Sequence, residues 1–283
     1  MFRSGFRPAA VSYAVIAITA LVINSPIAYA FPNDGGIAMG GSPGLLNGHP
    51  SVTMEAEKIR ILVGEDAVKV DCDFTFTNHG PACTVRMGFP DRGIGAMDPD
   101  EERSKDDIAR TPPQTTFTSF KSWVSGKPAK TGLVRANKGG EYWHTKMVSF
   151  KANETLHVRD LYTQDIGGGL ASIDGKPGEV KEAAYVLHTG ASWHGPIGST
   201  EVTVVFKNSR VQTPIHAIQL KMAATGSGKA NGASVAKLPV GAVVWSGPSQ
   251  PEAGVASLKF VRKNWVPTKK DDIDIFCGYR TAN

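Results

Sequence analysis

The chain has 283 residues, 41% hydrophobic and 20% charged, which supplies a sizeable core and excludes wholesale disorder. Gly 31 and Pro 18 together make about one residue in six, a proportion that excludes a plain helical bundle and suits short strands joined by many turns. The formal net charge of +5 falls to +3 once Arg3 and Arg7 of the first thirty residues are set aside, too small and scattered a surplus for nucleic acid.

Those first thirty residues read as a secretory signal peptide. Arg3 and Arg7 form a basic start, Val11 to Ile23 an apolar run shorter than the about 20 residues a spanning helix needs, and Ala28-Tyr29-Ala30 a small-x-small cleavage box. Cleavage is expected before Phe31, giving a secreted or periplasmic protein with no transmembrane anchor. A glycine-rich lead-in, residues 34–48, follows.

Strands dominate the rest. Ile59, Ile61 and Val63 alternate with polar residues, and Val68, Val70, Cys72, Phe74 and Phe76 do so over the strictest period-two run in the chain, as a half-buried strand requires. Cys83, Val85, Met87 and Phe89 repeat the pattern, and Asn78-His79-Gly80-Pro81 between them reads as the turn of an antiparallel hairpin. In that register Cys72 and Cys83 lie too far apart for a disulfide, and Cys277 leaves the count odd. The charge run 98–107 lacks the glycine and alternating ligands of a calcium loop and reads as solvated. Strands are expected again at Phe117 to Val124, Tyr142 to Phe150 and Leu156 to Tyr162. Residues 163–183 are turn-rich and place a domain boundary at 165/166. Beyond it come Tyr185 to Thr189, Thr200 to Phe206, Ile215 to Met222, Val240 to Trp245, Ala256 to Val261 and Ile273 to Cys277, with a flexible loop at 226–232. The expected fold is all-β: antiparallel, sandwich-like sheets in two packed domains, 31–165 and 166–283.

Chemical motifs are weak. Gly226-Ser-Gly-Lys229 lacks the first glycine and final Ser or Thr of a phosphate loop. Ser192 in Gly190-Ala-Ser-Trp-His194 lacks the second glycine of a nucleophile elbow. The seven histidines are dispersed, and only His188 and His194 lie close enough in sequence to suggest a hydrolase, with or without a metal. No cofactor, metal site or catalytic residue is assigned. The better candidates are aromatic. Tyr142 and Trp143 point to opposite faces of one strand, which leaves at least one ring able to reach the surface, and Trp193 with His194 sits in a Gly/Pro turn; exposed flat rings stack on sugars. The turn itself, with Thr189, Gly190, Trp193, Gly195, Pro196 and Gly198, reads as a rigid corner in which the glycines supply positive φ.

The stretch Tyr185-Val-Leu-His-Thr-Gly-Ala-Ser-Trp-His-Gly-Pro-Ile-Gly198 resembles the box of a secreted bacterial family known as domain of unknown function 4424. Met54-Glu-Ala-Glu57 before Ile59-Arg-Ile61, the long alternating strand and Gly88-Phe89-Pro90 are similar to it as well. Residues 91–140 have no clear counterpart there. The resemblance implies a β protein of the cell envelope and brings no activity or catalytic residue with it. The sequence reading is therefore a non-enzymatic envelope protein that binds a polysaccharide or other polymer. Its rivals are a scaffold or assembly factor for another envelope protein and the His188/His194 hydrolase.

Overall fold

The computed structural model describes residues 35–37, 48–91, 115–135, 142–173, 176–215, 217–219 and 240–280. The signal peptide, most of the glycine-rich lead-in, the charge run 98–107 and the loop 226–232 lie outside them. No helix among the described residues is long and apolar enough to cross a membrane.

In chain order the strands are β1 (Gly35–Ile37), β2 (Val52–Val63), β3 (Ala67–Asn78), β4 (Cys83–Asp91), β5 (Phe117–Val124), β6 (Lys127–Pro128), β7 (Gly132–Arg135), β8 (Tyr142–Phe150) and β9 (Thr155–Asp165). They continue as β10 (Gly167–Ile173), β11 (Lys176–Tyr185), β12 (Ile197–Phe206), β13 (Ala217–Gln219), β14 (Val243–Ser246), β15 (Glu252–Ala253), β16 (Ser257–Trp265) and β17 (Ile273–Arg280). The fold is all-β, as the alternation predicts. An eight-stranded sheet runs β15-β16-β12-β2-β3-β9-β5-β6, a four-stranded sheet β1-β4-β8-β7, and a five-stranded sheet β10-β11-β17-β14-β13. Pairing is antiparallel except between β2 and β12 and between β13 and β14. Strands from both sides of the expected 165/166 boundary pair in the large sheet, and one apolar cluster runs through all three sheets.

The register explains how the large sheet is covered. Phe260, Val202, Ile59, Cys72, Asp160 and Ser122 are successive partners across β16, β12, β2, β3, β9 and β5, so their side chains share one face. Along that row Phe260 lies 6.5 Å from Trp245 of the five-stranded sheet, and Cys72 Sγ lies 3.5 Å from the Tyr185 hydroxyl. Farther along, Lys146 of the four-stranded sheet reaches Asp160 at 2.6 Å. Both smaller sheets thus pack side by side on the same inner face. Phe74, Phe89, Tyr162 and Phe120 fill the space between the large sheet and the four-stranded one at centroid distances of 5.6 to 6.2 Å.

Two expectations change. β3 and β4 do not form a hairpin: β3 pairs with β2 and β9, while β4 pairs with β1 and β8. Alternation marks both strands but does not say whether the turn folds back or crosses over. Here Asn78 holds a crossover, donating from Nδ2 to the carbonyls of Gly80, Pro81 and Lys151. Cys72, Cys83 and Cys277 are all free thiols. The region 163–183, expected to be turn-rich, is instead the end of β9 followed by the hairpin β10–β11, in which the glycines give strand rather than loop: a Cβ at Gly168 would press on the Val180 carbonyl across the pair.

A buried carboxyl in this smaller sheet gives the fold a pH dependence. Glu182 on β11 is almost fully buried, and desolvation, with the charge of Asp274 nearby, raises its pKa to about 8. A carboxyl raised in the folded state binds a proton there that the unfolded chain has already lost, so its stability contribution is complete below about pH 4.5 and is lost up to about pH 8. Chemical denaturation across that window should show stability falling by roughly 1.4 kcal/mol per pH unit from this group. Glu182→Gln should flatten the slope, and an unchanged slope in that variant would remove Glu182 as its source.

Candidate functional site

Because β2 and β12 are parallel, both begin at the same end of the large sheet, where antiparallel β3 ends. The segment entering β2, the β3–β4 crossover and the corner before β12 therefore converge. They enclose an open cleft of about 610 Å³ lined by His49, Ser51, His79, Cys83 and His194, with Pro50, Pro81 and Ala82 as its apolar wall.

Each imidazole is held by a different element. His49 Nδ1 accepts the backbone N–H groups of Ser51 at 3.1 Å and Val52 at 2.9 Å, which fixes that nitrogen as the unprotonated one. Burial, reinforced by nearby His194, lowers its pKa, so the ring stays neutral. His194 donates its backbone N–H to the Val52 carbonyl at 2.8 Å, and its Nδ1 lies 3.2 Å from the His49 carbonyl, an acceptor that sets Nδ1 as a donor. His79 donates its backbone N–H to the Ser51 carbonyl, and its Nε2 lies 3.3 Å from Glu55 and 3.0 Å from the Thr53 hydroxyl. Burial pushes the half-buried Cys83 thiol up, which keeps it protonated and a poor nucleophile. Among the described residues no group of three or more His, Cys, Asp or Glu side chains is placed to hold a metal ion.

The corner behind the cleft is a 3-10 turn, His188–Ser192, followed by extended Trp193. Its glycines serve different ends from those expected. Gly195 alone of the three takes a positive φ, 67°, whereas Gly198 is needed for close approach, since a Cβ there would collide with the Glu55 carbonyl at the bulge in β2. Thr189 is buried, and buried Ser192 donates its hydroxyl to the Thr189 carbonyl. Pro196 is exposed beside Gly195.

The aromatic candidates are not surface rings. Trp193 is 2% exposed, 4.6 Å from Phe76 and 6.2 Å from His49, and so packs behind His49 without itself lining the cleft. Tyr142 and Trp143 are each 6% exposed. Trp143 does point away from Tyr142, but its strand is an inner one, with Pro90 of β4 and Val134 of β7 as its cross-strand neighbours, and the ring is buried although Met147 and Ser149 farther along the same face are exposed. Of the four sequence candidates, only His194 faces solvent. His188 and His194 have different partners: His188 Nδ1 pairs with Asp272 at 2.7 Å, and the same carboxylate accepts the N–H groups of Leu187 and His188. That arrangement caps the corner. His49, Ser51, His79 and Cys83 were missed, although the Asn78-His79-Gly80-Pro81 turn was visible, because nothing local ties them to His194.

No protein-family model and no curated protein matches the chain. Among solved structures, a "putative nutrient binding protein" from Legionella pneumophila superposes with a TM-score of 0.54 at 18% identity, over 90% of this chain and 72% of that one. The overall fold is thus shared with that protein. An M1 zinc metallopeptidase from Deinococcus radiodurans matches at a TM-score of 0.37 and 12% identity, over 81% of this chain and 43% of that one. Yeast LTA4 hydrolase matches at 0.39 and 11%, over 81% and 29%.

Proposed function

We propose that this is a non-enzymatic binding protein of the bacterial cell envelope, secreted or periplasmic, that holds a segment of an envelope or extracellular polymer in the histidine cleft. The observation that carries the reading is the cleft itself: open, walled by three imidazoles on three separate elements, with neutral His49 and an unactivated thiol. Such walls offer hydrogen bonds to hydroxyls and amides rather than a poised nucleophile. The fold shared with the Legionella protein agrees with a binding role, and the box at 185–198 supports kinship with the domain of unknown function 4424. Trp193 and His194 keep a part in this reading, Trp193 as the buried support behind His49 rather than as a stacking platform. Tyr142 and Trp143 have none.

Purified protein should be retained on insoluble cell-wall or polysaccharide fractions, and soluble fragments should shift Trp193 fluorescence. His194→Ala and His79→Ala should each weaken binding about 5- to 10-fold, the cost of one lost hydrogen bond. Retention unchanged in both variants would place the ligand elsewhere. Failure of the parent to bind any fraction would favour the assembly-factor reading, for which β10 offers the longest outer strand among the described residues.

A further inference from the structure

We infer that Lys146 and Asp160 condense spontaneously to an intramolecular amide that joins the four-stranded sheet to the eight-stranded sheet.

Both side chains point into the space between the sheets, and their Nζ and Oδ2 atoms lie 2.6 Å apart, with side-chain exposures of 2% and 0%. Their surroundings are largely apolar. Met87 is the cross-strand partner of Lys146, the Phe89 ring lies 5.5 Å from its Nζ, and Cys72 is one of the two cross-strand partners of Asp160. Two charges in such a place have lost their water, and mutual attraction offsets that loss only when the remaining lone pairs are also satisfied. They are not. Asp160 Oδ1 has no hydrogen-bond partner, and neither has Ser122 Oγ, although Ser122 is the other cross-strand partner of Asp160. An amide removes both charges from the interior.

The chemistry needs no further reagent. A proton passes from Nζ to Oδ2 along the existing hydrogen bond, leaving an amine facing a carboxylic acid. Nζ then attacks Cγ, and the negative charge gathers on Oδ1. The Ser122 hydroxyl, adjacent and without a partner, turns to donate to that oxygen. A second proton leaves Nζ for the departing Oδ2 hydroxyl, the Cγ–O bond breaks, and one water molecule is released for each amide formed. Folding supplies the reaction's main requirement, because it holds amine and acid in contact where solvent cannot compete. No disulfide ties the described residues, so this bond would be their covalent staple.

The test is the intact mass of the denatured full chain purified from its native compartment, followed by proteolysis and tandem mass spectrometry. The expected mass is lower than the sequence mass of the observed N- and C-termini by one water. The expected digest contains a branched peptide joining Lys146 to Asp160, while Lys146→Arg and Asp160→Ala return to full mass. An undiminished parent mass, with Lys146 and Asp160 recovered on separate linear peptides, overturns the inference even if neither variant folds. So does a water loss that persists in either variant.

Discussion

Replacing Trp193 with alanine should cost about 3–5 kcal/mol, the range for emptying a fully buried large aromatic site. The ring is in contact with Phe76 and His49 and lies between the inner face of β3 and the cleft, so its loss opens a cavity at the point where three elements meet. Neighbouring turns are tied by backbone hydrogen bonds such as His194 to Val52 and cannot easily collapse into it. Urea denaturation should show a lower midpoint at an unchanged slope. Trp193→Phe, which keeps a ring against Phe76, should lose less than half as much. A loss below about 1 kcal/mol for the alanine variant would mean that the site closes over, contrary to this account.

A second large effect is expected at Asn78. Its side chain is fully buried and satisfies five groups: it donates to the carbonyls of Gly80, Pro81 and Lys151 and accepts from the Ser51 hydroxyl and the Gly80 N–H. Asn78→Ala leaves several of these partly buried partners without a bond, and about 2–4 kcal/mol should be lost. Asn78→Asp separates the two halves of the role. It keeps the acceptor but sets a carboxylate against three carbonyls, and should be at least as damaging at neutral pH. An aspartate variant as stable as the parent would show that the donated bonds contribute nothing. Since Ser51, Gly80 and Pro81 also line the cleft, the alanine variant should weaken polymer retention as well.

What the sequence disclosed follows from the range of its signals. The alternation from Val68 to Phe76 and the run Tyr142 to Phe150 identify β3 and β8 directly, because period two is a property of each strand alone. Partners are not such a property. Nothing in residues 68–89 separates a hairpin from a crossover, and nothing in Gly167-Gly168-Gly169 announces a strand, since its pairing is carried by backbone. The box at 185–198 is readable as a rigid corner, but whether its tryptophan is buried or meets a ligand is not, because its neighbours Phe76 and His49 lie more than a hundred residues earlier. The cleft has the same cause: His49 and His194 meet only through a strand pairing 143 residues apart in sequence, measured from Glu57 to Thr200.

That parallel seam between β2 and β12 also dictates an order of events. Its contacts have a large sequence separation, which slows folding because loop closure must precede any gain from pairing. Until β12 is available, β2 has a partner on one side only, and its outer edge stands open for twelve residues. A chain stopped after β11 keeps that edge bare. It would find its missing strand in another copy of itself, so truncated forms should aggregate rather than persist as half-sized folded monomers.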